Sequence, residues 1–174
     1  KKIFHFELGE PSPSTPKKIT DEAKRLIDLD LPGYTPSNGI HELRRKIAQY
    51  YLKKNIRINS DQVFITTGSS GAFLLSFLTC FDAGDKVVIF NPSYPAYRNI
   101  LKSLNLEVVE IESSPDNDFN IDLTKIKLQM NIRGLIVSSP NNPNGQIFSK
   151  KELKFIYSFC EENNIVLISD ELYH

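Results

Sequence analysis

Short apolar runs alternate with helical segments along this chain, and no other feature of the sequence limits the fold as strongly. Each run has five or six residues, and a predicted helical segment separates each run from the next. Parallel strands need such crossover helices, and strands buried on both faces are apolar throughout. The sequence therefore predicts an α/β fold with a mostly parallel sheet and flanking helices. The predicted strands are Val63 to Thr67, Lys86 to Asn91, Glu107 to Ile111, Gly134 to Ser138, and Ile165 to Ser169.

Polar motifs follow the last two predicted strands. Residues 139–145 read Ser-Pro-Asn-Asn-Pro-Asn-Gly, and residues 170–173 read Asp-Glu-Leu-Tyr. Because ligands bind at the carboxyl ends of parallel strands, we expect Asn142, Asp170 and Tyr173 to face one crevice. Each motif alone also has a structural explanation. Asn-Pro-Asn-Gly is a good turn, and Asp after a strand is often only a helix cap.

A candidate phosphate site follows the first predicted strand. Gly68-Ser69-Ser70-Gly71 leads from that strand into an apolar helix predicted from Ala72 to Phe81. The first amides of a helix lack internal partners, and the helix dipole favours an anion there. The segment is neither a P-loop nor a dinucleotide fingerprint. Serine caps are common on helices, so the signal is weak by itself.

Composition excludes several classes of function. The formal net charge is 0, which argues against a nucleic-acid binder. No apolar run approaches the ~20 residues of a membrane span. His5, His41 and His174 are scattered, so we expect no metal site. Cys80 and Cys160 form no close pair and lie in apolar, helix-like stretches, which indicates reduced core thiols in a cytoplasmic protein.

Six short motifs occur in a fixed order along the chain: Leu8 to Pro11, Tyr34 to Gly39, Thr67 to Ser70, Asn91 to Pro95, Ser139 to Gly145, and Asp170 to Tyr173. In this order and spacing they resemble the N-terminal part of the class I/II aminotransferases, fold-type I enzymes that use pyridoxal 5'-phosphate (PLP). One departure is Asn144, where the family usually has Thr; the position mainly serves the turn. The resemblance implies an incomplete large PLP-binding domain over residues 33–174. An N-terminal arm and first helix, on the side of the substrate loop, precede it over residues 1–32.

The resemblance assigns roles around the ring of the cofactor. It implies that Asp170 pairs with the protonated ring nitrogen and that Tyr94 stacks on the ring face. Asn142 and Tyr173 match the residues that hydrogen-bond the phenolic oxygen. Asp170 and Tyr173 are therefore the candidate catalytic residues of this chain.

Further roles concern the phosphate and the substrate. The resemblance implies that Gly68, Ser69 and Ser70 form the phosphate cradle. Tyr34 matches a tyrosine that reaches the phosphate of the neighbouring subunit in the family's homodimer. Gly9 matches a loop that lies over the carboxylate of the substrate.

The implied reaction is the exchange of an amino group between an amino acid and a 2-oxo acid. The family's Schiff-base lysine lies beyond the Asp-x-x-Tyr motif, and no lysine of the printed sequence stands in its place. We therefore expect an N-terminal fragment that is inactive alone. Two alternatives stay open: another fold-type I reaction, such as a carbon–sulfur lyase or a decarboxylase, and a catalytically dead binding remnant.

Overall fold

The computed structural model describes residues 3, 9, 14–29, 33–113 and 120–173 of the 174-residue chain. Backbone proximity divides the chain into two units, Lys1–Ser60 and Asp61–His174. Apart from Gly9, the motif Leu8 to Pro11 lies outside the described residues. The boundary between an N-terminal arm and a large domain at residue 33 stays a prediction.

The first unit carries helices α1 (Lys17–Ile27) and α2 (His41–Lys53). No residue of α1 is buried. In α2 the Arg44 side chain is only 6% exposed, and its guanidinium donates to Gly39 O at 3.2 Å and Ser60 O at 2.9 Å. Arg44 thus joins the loops that precede and follow α2.

The second unit is built on a parallel sheet. Within the described residues the sheet has four strands in the order β2-β1-β3-β4. They are β1 (Lys86–Asn91), β2 (Glu107–Glu112), β3 (Ile132–Ser138) and β4 (Val166–Asp170). All neighbouring pairs are parallel, and each strand lies within two residues of its predicted bounds. The predicted α/β class is confirmed.

The prediction of a strand from Val63 to Thr67 is wrong. A strand is defined by hydrogen bonds to a neighbour, and the described sheet pairs no strand with these residues. Helix α3 (Gly68–Cys80) follows and begins four residues before its predicted start at Ala72. Gly68, its first residue, has a φ of +71°, a backbone conformation that other residues rarely adopt.

Helices cover both faces of the sheet. α3 and α4 (Pro95–Ser103) pack on one face, where the buried side chains include Phe77, Val87, Ile89, Leu101 and Ile136. α5 (Lys150–Glu162) and a 3-10 helix (Leu123–Leu128) pack on the other, with Val88, Phe90, Ile126, Leu135 and Ile156. Neighbouring residues of β1 alternate between the two cores, and each large buried side chain contributes roughly 1.5–3 kcal/mol. The sheet is therefore held rigidly between two layers.

The two cysteines differ in environment. Cys160 is buried in α5, and burial raises the pKa of its thiol to about 11, so it is a protonated core thiol as predicted. Cys80 is exposed, and the prediction of a core thiol is wrong for this residue. It is the last residue of α3, and Phe81, where the backbone becomes extended, fills the core instead.

Within the described part of the chain, no helix has the length and apolar character needed to cross a bilayer. The same residues contain no group of three or more His, Cys, Asp or Glu side chains that could hold a metal ion.

Candidate functional site

The carboxyl ends of the strands bring the polar motifs to one edge of the sheet. β1 ends at Asn91, β3 at Ser138 and β4 at Asp170, and Ser138 lies opposite Asp170 in the register of β3 and β4. Small ligands bind at this edge of a parallel sheet. The strand order thus places the Asn91, Ser139 and Asp170 motifs beside one another.

The turn after β3 is joined to the loop after β1 by one side chain. The Asn141 amide nitrogen donates to Pro92 O at 2.8 Å and to Asn144 Oδ1 at 2.7 Å. Asn144 Oδ1 also accepts from the backbone N–H of Gln146 at 3.1 Å. These contacts fit the expectation that position 144 serves the turn. Asn142 lies half-buried in this turn, next to the residue that makes the bridge.

Asp170 is half-buried, and both of its carboxylate oxygens accept hydrogen bonds. Oδ2 accepts from the Tyr97 hydroxyl at 2.5 Å, and Oδ1 accepts from the backbone N–H of Leu172 at 3.1 Å. A hydrogen bond on each oxygen limits rotation of the group about its terminal torsion. The structure therefore presents a fixed carboxylate at the end of β4.

Sequence reasoning missed the role of Tyr97. Its side chain is only 2% exposed, and its ring makes edge-to-face contacts with Phe73 at 5.0 Å and Tyr94 at 5.7 Å between centroids. Burial and the Asp170 carboxylate raise the pKa of the Tyr97 phenol well above its usual value. In the sequence Tyr97 is only an aromatic residue near a helix start, and no signal marks it as a partner of a residue 73 positions later.

A second polar cluster at the end of β1 also escaped prediction. Asn91 is 8% exposed, and its amide nitrogen donates to the Glu110 carboxylate and to Glu112 Oε1 at 3.0 Å. Arg98 pairs with Glu110, and the Ser93 hydroxyl donates to Asn91 Oδ1 at 3.3 Å. Glu110 and Glu112 are two residues apart on β2, so both face the same side. That spacing is the signal that could have indicated a shared partner.

The residues predicted to form a phosphate cradle lie at the start of α3. Thr67 is the N-cap residue, and its side chain makes no capping hydrogen bond. Because the helix starts at Gly68, Ser69 and Ser70 lie in its first turn, where amides have no helical acceptor. Ser69 is half-buried and Ser70 is exposed. One turn further along α3, Phe73 contacts Tyr97, whose hydroxyl donates to Asp170. The first turns of α3 therefore lie near Asp170.

The remaining predicted residues are exposed. Tyr173 follows β4 and is 54% exposed, but it lies close enough to act electrostatically on Tyr97. Tyr34 is fully exposed, and a Cβ at Gly9 would meet no atom within 4 Å. Both belong to the first unit, and their roles stay predictions.

The fold and the strand-end site define an α/β domain of the class that binds small molecules beyond the ends of a parallel sheet. The chain belongs to the aminotransferase class I and II family, whose model matches residues 1–174. This confirms the family resemblance that the motifs indicated.

Individual relatives agree with this assignment. The chain is 42% identical over 174 residues to a valine–pyruvate aminotransferase of Mycobacterium tuberculosis, covering 99% of this chain and 45% of that protein. It is 36% identical over 173 residues to a probable aspartate aminotransferase of Methanocaldococcus jannaschii, with 98% and 46% covered. The chain thus spans a little under half the length of these relatives.

Solved structures share the fold. An aminotransferase from Mycobacterium tuberculosis superposes with a TM-score of 0.89 at 44% identity, covering 96% of this chain and 46% of that one. The aspartate aminotransferase of Thermotoga maritima gives a TM-score of 0.95 at 28% identity, with 99% and 47% covered. The chain therefore has the fold of the corresponding part of these enzymes.

Proposed function

We propose that this chain supplies the N-terminal part of a PLP-dependent aminotransferase, which exchanges an amino group between an amino acid and a 2-oxo acid. The observation that carries the proposal is the fixed Asp170 carboxylate at the end of β4, in a chain of the aminotransferase class I and II family. The named relatives support the same reaction type, since they are aminotransferases.

The groups at the strand ends and at the start of α3 fit PLP, which has a basic ring nitrogen, a flat ring and a phosphate. Asp170 offers a carboxylate, and Tyr94 offers a half-buried aromatic ring. The start of α3 offers amides that the Thr67 side chain does not cap. When bound, PLP supplies an electron sink for the substrate carbon that carries the amino group.

In this proposal Asp170 holds a proton on the ring nitrogen. An ion pair at about 4 Å near a protein surface is worth about 4 kcal/mol, which equals about three pKa units. That is enough to keep a pyridine protonated at neutral pH. Tyr94 orients the ring by stacking, and Asn142 and Tyr173 hydrogen-bond the phenolic oxygen.

In this proposal, other parts of the chain bind the phosphate of PLP and the substrate. The backbone amides and hydroxyls of Ser69 and Ser70, with Gly68 before them, bind the phosphate. Tyr34 reaches the phosphate of a second subunit in a homodimer, a role compatible with its full exposure. Gly9 belongs to a loop over the substrate carboxylate. We also propose that the protein acts in the cytoplasm.

A transaminase needs a lysine that binds the cofactor and carries a proton during the reaction. The printed sequence has none in the family's position. The complete polypeptide is defined here as the longest natural polypeptide that contains this sequence. The proposal requires that it have such a lysine beyond residue 174.

The test uses the purified complete polypeptide with PLP. It is incubated with valine and pyruvate, or with aspartate and a 2-oxo diacid, and the products are identified by mass spectrometry. We expect a new amino acid and a new 2-oxo acid in equal amounts. In a separate incubation with a thioether amino acid and no 2-oxo acid, release of a thiol, ammonia and a 2-oxo acid would indicate a lyase. Release of carbon dioxide from any of the amino acids, with formation of an amine, would indicate a decarboxylase. No turnover, together with no lysine in the expected place, would indicate a binding remnant.

A further inference from the structure

The Tyr97 side chain occupies the junction between two helices and the end of β4. Its ring packs edge-on against Phe73 of α3 and against Tyr94 at the N-cap of α4. The residue is 2% exposed, so the ring has little freedom to move. A phenylalanine would make the same ring contacts, and the hydroxyl group therefore needs a separate explanation.

The hydroxyl group reaches the carboxylate that the proposed function assigns to the ring nitrogen of PLP. It donates to Asp170 Oδ2 at 2.5 Å, while the backbone N–H of Leu172 donates to Oδ1 at 3.1 Å. One hydrogen bond leaves an aspartate free to turn about its terminal torsion, which is broad. Bonds on both oxygens fix the plane of the carboxylate.

The Tyr97 phenol stays protonated and can therefore always donate its hydrogen bond. Burial and the neighbouring carboxylate raise the pKa of the phenol, so it keeps its proton throughout the physiological range. Hydrogen bonds to charged groups are stronger than those between neutral groups. The Ser138 hydroxyl also interacts with the phenol, and Ser138 lies opposite Asp170 in the sheet.

We propose that Tyr97 is a positioning residue that holds the Asp170 carboxylate in the orientation needed by the ring nitrogen of PLP. The inference rests on the proposed function and adds to it a residue that contacts neither substrate nor reacting atoms. Tyr97 also contacts Tyr94, so one side chain sets both the proposed charge partner and the proposed stacking ring.

The test measures binding of two cofactors to the complete polypeptide. One is PLP, and the other is an analogue in which carbon replaces the ring nitrogen. For each variant, the ratio of the two dissociation constants reports the interaction with the ring nitrogen. A general loss of folding weakens the binding of both cofactors equally and leaves this ratio unchanged. The variants are Tyr97→Phe, Asp170→Ala, the double variant and Tyr157→Phe. Tyr157 is a matched control because its phenol also pairs with a carboxylate, Glu161, but on the exposed face of α5.

We expect Tyr97→Phe to reduce the preference for PLP about tenfold, the effect of one hydrogen bond to a charged group. Asp170→Ala should abolish the preference, and adding Tyr97→Phe to it should change nothing further. Tyr157→Phe should match the wild type. A wild-type preference in Tyr97→Phe, with the preference lost in Asp170→Ala, would show that Tyr97 serves only the fold. If Asp170→Ala itself kept the preference, the proposed pairing of Asp170 with PLP would fail as well.

Discussion

At the scale of single residues, the strand ends are organised by side chains that hold other groups in place. Asn141 joins the turn after β3 to Pro92 in the loop after β1. Asn91 holds two carboxylates of β2 from a nearly buried position. Buried amides of this kind are costly to leave unpaired, so each one fixes the geometry around it. The proposed ligand contacts therefore rest on a layer of polar side chains that the motifs alone do not describe.

The first prediction compares the proposed charge partner with the proposed stacking ring. In the complete polypeptide, Asp170→Ala should lower kcat/KM by about 10²–10³, because it removes a charge placed for the transition state. Tyr94→Phe should cost less than about threefold, since phenylalanine keeps the aromatic surface. Steady-state kinetics with both variants saturated in PLP check this. Similar losses for the two variants would contradict the role given to Asp170.

At the scale of elements, Gly134 determines how closely β3 approaches the end of α3. A Cβ at this position would lie 2.3 Å from Cζ and 2.5 Å from Cε1 of Phe81. Phe81 is itself only 8% exposed, so its ring has little room to move. The close approach of the ring to the strand backbone thus depends on the missing side chain.

We predict that Gly134→Ala destabilises the complete polypeptide by about 1–3 kcal/mol, the usual cost of forcing extra atoms into a packed core. Gly33→Ala is the control, because a Cβ there would meet no atom within 4 Å. Thermal and denaturant unfolding measure both. Equal stability of the two variants would show that Phe81 can move aside at little cost.

Helices and strands that are marked by their own residues could be predicted from the sequence. Contacts between residues far apart in the chain could not. The β1 bounds follow from an apolar run that ends in Asn-Pro, and they match the structure. The predicted strand at Val63 to Thr67 is also rich in β-branched residues but has no partner within the described sheet, and composition does not reveal a partner. The bond between Tyr97 and Asp170 was hidden for the same reason, since it joins residues far apart in sequence.

At the scale of the whole molecule, the two edges of the described sheet differ in charge. β2 carries Glu107, Glu110 and Glu112, whereas β4 presents Val166, Leu167 and Ile168 before its first charged residue, Asp170. Within the described residues β4 pairs with β3 alone. Apolar edges with unpaired backbone groups recruit further strands, and charged side chains discourage this.

We therefore predict that the 174-residue chain, produced alone, is not a stable monomer. It should aggregate or associate through the β4 edge. Light scattering and native mass spectrometry check this, and Ser169→Lys, at the exposed position of β4, should reduce the association. A single species of 19.8 kDa with a cooperative thermal transition would contradict the prediction.

A further prediction concerns the cofactor chemistry of the same isolated chain. Mixed with PLP and reduced with borohydride, it should carry no stoichiometric pyridoxyl group on any one lysine, because the family's lysine position is not in the printed sequence. It should also show no transaminase activity. Peptide mapping by mass spectrometry gives the result, with the complete polypeptide as the positive control. One fully labelled lysine would overturn the expectation.

The strand order has a consequence for how the protein emerges during translation. β1 is made first and lies inside the sheet; β2 pairs on one side of it, β3 on the other, and β4 then pairs with β3. When β2, β3 and β4 are made, each therefore has a partner strand that has already been synthesised. Asp170 ends β4, the last of these four strands. Tyr97 is thus synthesised 73 residues before the carboxylate that it binds.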